Sequence, residues 1–147
     1  MELQIDSHYT RQDQRVHIYS QAFLNNLNAV RSRCKAQTKI CAVIKANGYG
    51  HGIREVVHIL KHQQIDFFAV ANIYEAAYIA DITEDTKILI LEPVHIGWSS
   101  DAVEFCAEKG MHCALVDCNS LIYVQKCLKN KNLNLNVHIK VETGLGR

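Results

Sequence analysis

Neither charge is in surplus in this chain: sixteen basic residues stand against fifteen acidic ones, a net +1 with histidine neutral. Without a basic excess, bulk electrostatics gives no pull toward nucleic acid or an anionic membrane. Long hydrophobic runs are also missing. The longest are about strand length, far short of a membrane span. The opening Met1–Glu2–Leu3–Gln4–Ile5–Asp6 is acidic and has no apolar core of a secretory signal, so the cytosol is the expected compartment. None of the six cysteines (34, 41, 106, 113, 118 and 127) forms a CxxC pair, and several fall inside apolar runs. They read as small buried hydrophobes rather than disulfides or zinc ligands. His58 and His62 have HxxxH spacing, but Ile59 stands where a metalloprotease needs glutamate, which leaves two solvated histidines.

What is present is enough apolar material, 48% of 147 residues, to build the core of one domain. After a polar, aperiodic stretch over 1–15, Phe23, Leu27 and Val30 recur at helical spacing, with Ser20 as the expected N-cap. An apolar strand over 39–45 follows. Ile53, Val56, Val57 and Leu60 then repeat at i, i+3, i+4 and i+7, which predicts an amphipathic helix. Residues 67–71 predict a second strand. Ile73, Ala76, Ala77 and Ala80 predict a helix that carries Glu75 as a solvated or capping charge. Ile88–Leu91 predicts a third strand, stopped by Pro93, the only proline. Helix over 99–109, strand over 112–116, helix over 119–129 and strand over 135–142 complete the pattern. Five alternations of strand and helix predict an α/β fold with parallel strands and right-handed crossovers. Spacing alone leaves an open sheet and part of a closed barrel equally possible.

The fifth strand differs from the rest. Leu133, Leu135, Val137, Ile139 and Val141 alternate with Asn132, Asn134, Asn136, His138, Lys140 and Glu142. A parallel strand buried on both faces reads as continuously apolar, so the polar face here looks either into solvent or into a functional lumen.

The chain is organised around Ala42 to Gly52, reading AVIKANGYGHG. Its apolar run ends in one cation, Lys45, followed by Gly48, Gly50 and Gly52. Lys45 therefore stands at the carboxyl end of a buried strand, where α/β proteins place their chemistry. An amine there can condense with a carbonyl compound, above all an aldehyde cofactor.

AVIKANGYGHG resembles the cofactor-lysine signature of the alanine racemases. A second segment, HIKVETGLGR from His138 to Arg147, is similar to that family's second strand motif, with Glu142 and Leu145 in place of the usual Asp and Met. The resemblance implies the N-terminal part of a (β/α)8 TIM barrel and a racemase interconverting L- and D-alanine with pyridoxal 5′-phosphate (PLP). It implies a small amino-acid substrate and a homodimer. By the same resemblance Lys45 holds PLP and exchanges the substrate α-proton on one face, while Tyr49 hydrogen-bonds the cofactor phosphate. A tyrosine packed in the core under the loop is the alternative for Tyr49. Arg147 would lie beside the substrate carboxylate.

Asn47 and the three glycines are expected to shape the turn, and His51 either to face the cofactor or to brace that turn. Lys140 shares the polar face of its strand with His138 and Glu142. In a closed barrel it would oppose Lys45, two cations whose repulsion is relieved by proton loss, by pairing with Glu142 or by carbamylation. The family implies carbamylation in a complete enzyme, and a free lysine is expected in this chain. The resemblance covers nearly the whole chain, residues 1–147, but only the first part of the family's architecture, without its C-terminal β-domain. The expected reading is an incomplete racemase. The alternatives are a non-catalytic PLP-binding or inert remnant, or a serine or broad-specificity racemase.

Overall fold

The computed structural model describes residues 16–84 and 86–145. The readings made for residues 1–15 and for Arg147 lie outside the described residues. Five strands, β1 (Cys41–Val43), β2 (Phe67–Val70), β3 (Ile88–Pro93), β4 (His112–Leu115) and β5 (Asn136–Ile139), form one sheet. Every neighbouring pair is parallel. The order is β1-β2-β3-β4-β5, so each strand lies beside the one before it. A doubly wound open sheet must reverse its order at a switch point. Here no reversal occurs, and the sheet is a barrel segment.

Five helices follow the strands or lead into them: α1 (Ser20–Arg31), α2 (Ile53–Leu60), α3 (Ile73–Ile82), α4 (Ser100–Glu108) and α5 (Cys118–Cys127). Helix α2 buries Ile53, Val56, Val57 and Leu60, the whole predicted stripe. Each such side chain stabilises the fold by about 1.5–3 kcal/mol through the area it removes from water. Ser99 caps α4 by accepting the Ala102 N–H at 3.1 Å, and Asp117 caps α5 by accepting the Ser120 N–H at 2.7 Å. The expectation for Ser20 is corrected: Tyr19 holds the N-cap position of α1, with no side-chain cap, and Ser20 is the first helical residue. The β5 ladder is also shorter than expected, because only Asn136–Ile139 make strand pairs.

The core lies between sheet and helices. Phe68, Val70, Ile88, Ile90 and Cys113 point into it and are buried. On the opposite face the strand register aligns Val43, Ala69, Leu89, His112 and Asn136 in one row. Cys106, Cys113 and Cys127 are buried as expected, but Cys41 and Cys118 are exposed, a correction to the uniform reading of the cysteines. Cys41 belongs to the short edge strand β1, and Cys118 opens α5. His58 and His62 are both exposed, and no group of three metal-ligating side chains occurs among the described residues.

Candidate active site

Strand β1 ends where its last rung is made, the Ile44 N–H donating to Ala69 O at 2.8 Å. Lys45 comes next, and the backbone then turns left-handed for five residues: Ala46 (φ 51°), Asn47 (φ 54°), Gly48 (φ 63°), Tyr49 (φ 53°) and Gly50 (φ 86°). Three of these carry side chains, and each left-handed L-residue costs about 1–2 kcal/mol. Such strain persists only where the surroundings over-determine it, and here they do. The Gly48 N–H donates to Ile44 O at 2.9 Å and closes the turn. Asn47 O accepts from Gly50 and Gly52, at 3.1 and 2.9 Å. Asn47 Oδ1 accepts the Ile53 N–H at 2.9 Å, satisfying an orphan donor at the start of α2. Gly48 has a second reason to be glycine, because a Cβ there would meet Val56 Cγ2 at 3.2 Å.

The turn sets Lys45, half-buried, into a cleft of about 640 Å³ on the lumen side of the sheet. Ala71, Leu91, Glu92, His138 and Lys140 line the same cleft. Lys140 is fixed there by its own N–H, which donates to Leu115 O at 2.8 Å. The polar face of the fifth strand thus looks into the lumen, and Lys45 and Lys140 share one space. Tyr49 is 60% exposed, which rules out the core-tyrosine alternative. His51 braces the turn, its Nδ1 lying 2.9 Å from Gly48 O.

Two features went unread in the sequence. Glu75 is neither solvated nor a simple cap. Its Oε1 accepts the Ala46 N–H at 2.7 Å and its Oε2 the Ala71 N–H at 2.8 Å. The available signal was Asn72-x-x-Glu75, the spacing of a capping box; Asn72 Oδ1 does accept the Glu75 N–H at 3.0 Å. Deeper in the lumen, His112 Nδ1 and His138 Nε2 lie 3.0 Å apart, with the Phe67 ring edge-on to both. Burial, then the neighbouring His138 and Lys87, hold the His112 imidazole below its usual proton affinity. The signal for this pair was the polar character of His138 on an inward face.

These residues fit the reactive end of an aldehyde cofactor such as PLP. An amine opens onto a cleft whose volume falls in the range of small-molecule sites, and the exposed side chain of Tyr49 stands on the same turn. Parallel strands in sequential order, with a lysine on a strained turn at the carboxyl end of the first, define a (β/α)-barrel chain with a lysine-centred site. The chain belongs to the alanine racemase family: residues 18–147 match the family described as alanine racemase, N-terminal domain.

Among its relatives is the alanine racemase of Francisella tularensis subsp. novicida, 30% identical over 130 residues, which cover 88% of this chain and 34% of that protein. Among solved structures, the alanine racemase of Clostridium difficile 630 superposes with a TM-score of 0.77 at 26% identity, covering 86% of this chain and 32% of the other. The histidine racemase of Leuconostoc mesenteroides subsp. sake also gives a TM-score of 0.77 at 26% identity, covering 87% of this chain and 33% of that one. The chain spans about a third of the length of the relatives it matches.

Proposed function

We propose that residues 1–147 are the partial, cofactor-bearing barrel domain of a PLP-dependent alanine racemase that interconverts L- and D-alanine. The observation that carries this reading is the placement of Lys45 on the left-handed turn, facing the cleft that Lys140 also lines. When bound, PLP supplies an electron sink that makes removal of a substrate α-proton affordable. Lys45 anchors the cofactor and moves that proton on one face of the α-carbon. The Tyr49 hydroxyl donates to the cofactor phosphate. Arg147 offers a two-pronged, permanently charged partner to the substrate carboxylate. Lys140 lines the same cleft as Lys45 and is the proposed carbamylated lysine of the complete enzyme; in this chain, where it is exposed to screening water, it is proposed to be an uncarbamylated lysine.

The partners proposed are a small amino acid and a second copy of the chain, in the cytosol. Nucleic acid and membrane are not among them, and no described helix is long and apolar enough to cross a bilayer. A second reading, a racemase of serine or of broader specificity, is favoured by one fact. The histidine racemase superposes as well as the alanine racemase does.

The test is incubation of the chain with PLP, borohydride reduction and peptide mapping. The expected result is label concentrated on Lys45. Label spread evenly over surface lysines such as Lys126, Lys129 and Lys131 overturns the assignment, and no label at all returns the inert-remnant reading.

A further inference from the structure

We infer that Glu75 is a positioning residue for Lys45, its carboxylate clamping the start of the left-handed turn to the end of β2; this rests on the reading of Lys45 as the aldehyde-binding lysine. The left-handed turn has the same difficulty as any helix start, since its first N–H groups have no acceptor within the turn. The strand ladder cannot help, because its last rung is made one residue earlier than Lys45, by Ile44 to Ala69. The Ala46 N–H is therefore an orphan donor at the residue next to Lys45, and Glu75, 29 residues further along, supplies its acceptor at 2.7 Å.

The other oxygen does the same for the neighbouring strand. Ala71 follows β2 directly and lines the cleft beside Lys45, and its N–H donates to Glu75 Oε2 at 2.8 Å. One carboxylate thus spans the carboxyl ends of two adjacent strands, and these are the ends that frame the lysine. In an ordinary capping box the glutamate returns to the backbone of its own N-cap residue. Here it overshoots that residue, Asn72, and takes one N–H on the near side and one on the far strand. A helix cap alone does not need the second contact.

The chemistry requires a carboxylate. Both oxygens accept, whereas glutamine would turn an NH2 group toward one of the two N–H donors and lose that bond. Aspartate is one methylene shorter and cannot span both. The first turn of α3 further favours a negative charge at this point.

The experiment compares wild type with Glu75→Gln, Glu75→Ala and, as a control for helix capping alone, Asn72→Ala. Each is treated with PLP and borohydride, and label on Lys45 is read relative to Lys126 in the same digest. Hydrogen exchange of the Ala46 and Ala71 amides is followed without cofactor, alongside thermal melts. Loss of a hydrogen bond to a charged group is expected to lower the relative Lys45 label about tenfold in both Glu75 variants, with Ala46 exchange accelerated. Asn72→Ala is expected to lower the melting temperature and leave the relative label unchanged. Wild-type label and slow Ala46 exchange in the glutamine variant overturn the clamp, even if the alanine variant fails to fold. Absence of Lys45 label in wild type instead overturns the reading of Lys45, while amide exchange still reports on the clamp.

Discussion

Strands β2 and β5 are each four residues long and parallel to their neighbours, yet they live in different environments. On β2 the outward side chains Phe68 and Val70 are 1% and 0% exposed, under the helices that follow β1 and β2. On β5 the corresponding apolar side chains, Val137 and Ile139, are 42% and 82% exposed. Outward apolar side chains are therefore core in one place and surface in the other. Burial is conferred by the layer laid over a strand, and the strand's own sequence only makes it available. The site follows the same division. Its β1–β2 end, with Lys45, is strained, clamped and multiply hydrogen-bonded. At its β5 end, the Lys140 N–H donates to Leu115 O and the side chain is exposed.

The largest expected effect tests the closed half. Phe68 supports the sheet beneath the Lys45 turn, so Phe68→Ala removes a fully buried ring and leaves a cavity. The expected loss is about 3–5 kcal/mol, read as a fall in the midpoint of denaturant unfolding. A loss below about 1 kcal/mol, the range of surface substitutions, would erase the distinction between the two regions.

Much of the closed half is legible in the sequence, because its signals are local. The i, i+3, i+4, i+7 stripe of Ile53 to Leu60 needs only one helix to be read, and every member is buried. The lysine at the end of an apolar run, followed by glycines, reads equally well. The role of Glu75 was hidden because it joins a side chain to backbone groups on another strand, and backbone donors leave no mark in a sequence. Likewise His112 and His138 meet only once the register places β4 beside β5. Ser20 is a favourable cap by type, but the helix begins one residue earlier than that role requires.

The boundary between the two regions gives the next effect, which is a pH dependence. His112 on β4 faces His138 on β5, with Lys87 and Phe67 beside it, and its proton affinity is lowered, mainly by burial. The unfolded chain, with an ordinary imidazole near pH 6.5, therefore takes up the proton first as pH falls. The stability contributed by neutral His112 is fully present above that pH, declines below it and levels off once the folded form is also protonated. Unfolding midpoints measured between neutral pH and about pH 5 are expected to fall in wild type and to fall less in His112→Asn. Parallel profiles for the two proteins would mean that the pair carries no such linkage.

The smallest effect is expected on β5 itself. Ile139 makes its backbone rungs with β4, but its side chain is mostly in solvent. Ile139→Thr keeps the β-branched shape that suits an extended backbone and exchanges exposed methyl surface for a hydroxyl that water can satisfy. Little apolar area returns to water on unfolding, so the expected change is within about 0.5 kcal/mol, with better solubility as the more visible result. The measurement is the same denaturation midpoint, with light scattering at rising protein concentration. A loss approaching that of Phe68→Ala would show that the face of Ile139 is covered in solution, and the contrast between the two strands would then reflect this chain in isolation. Unchanged midpoints with reduced scattering would place the difference where the geometry puts it, in what lies over each strand.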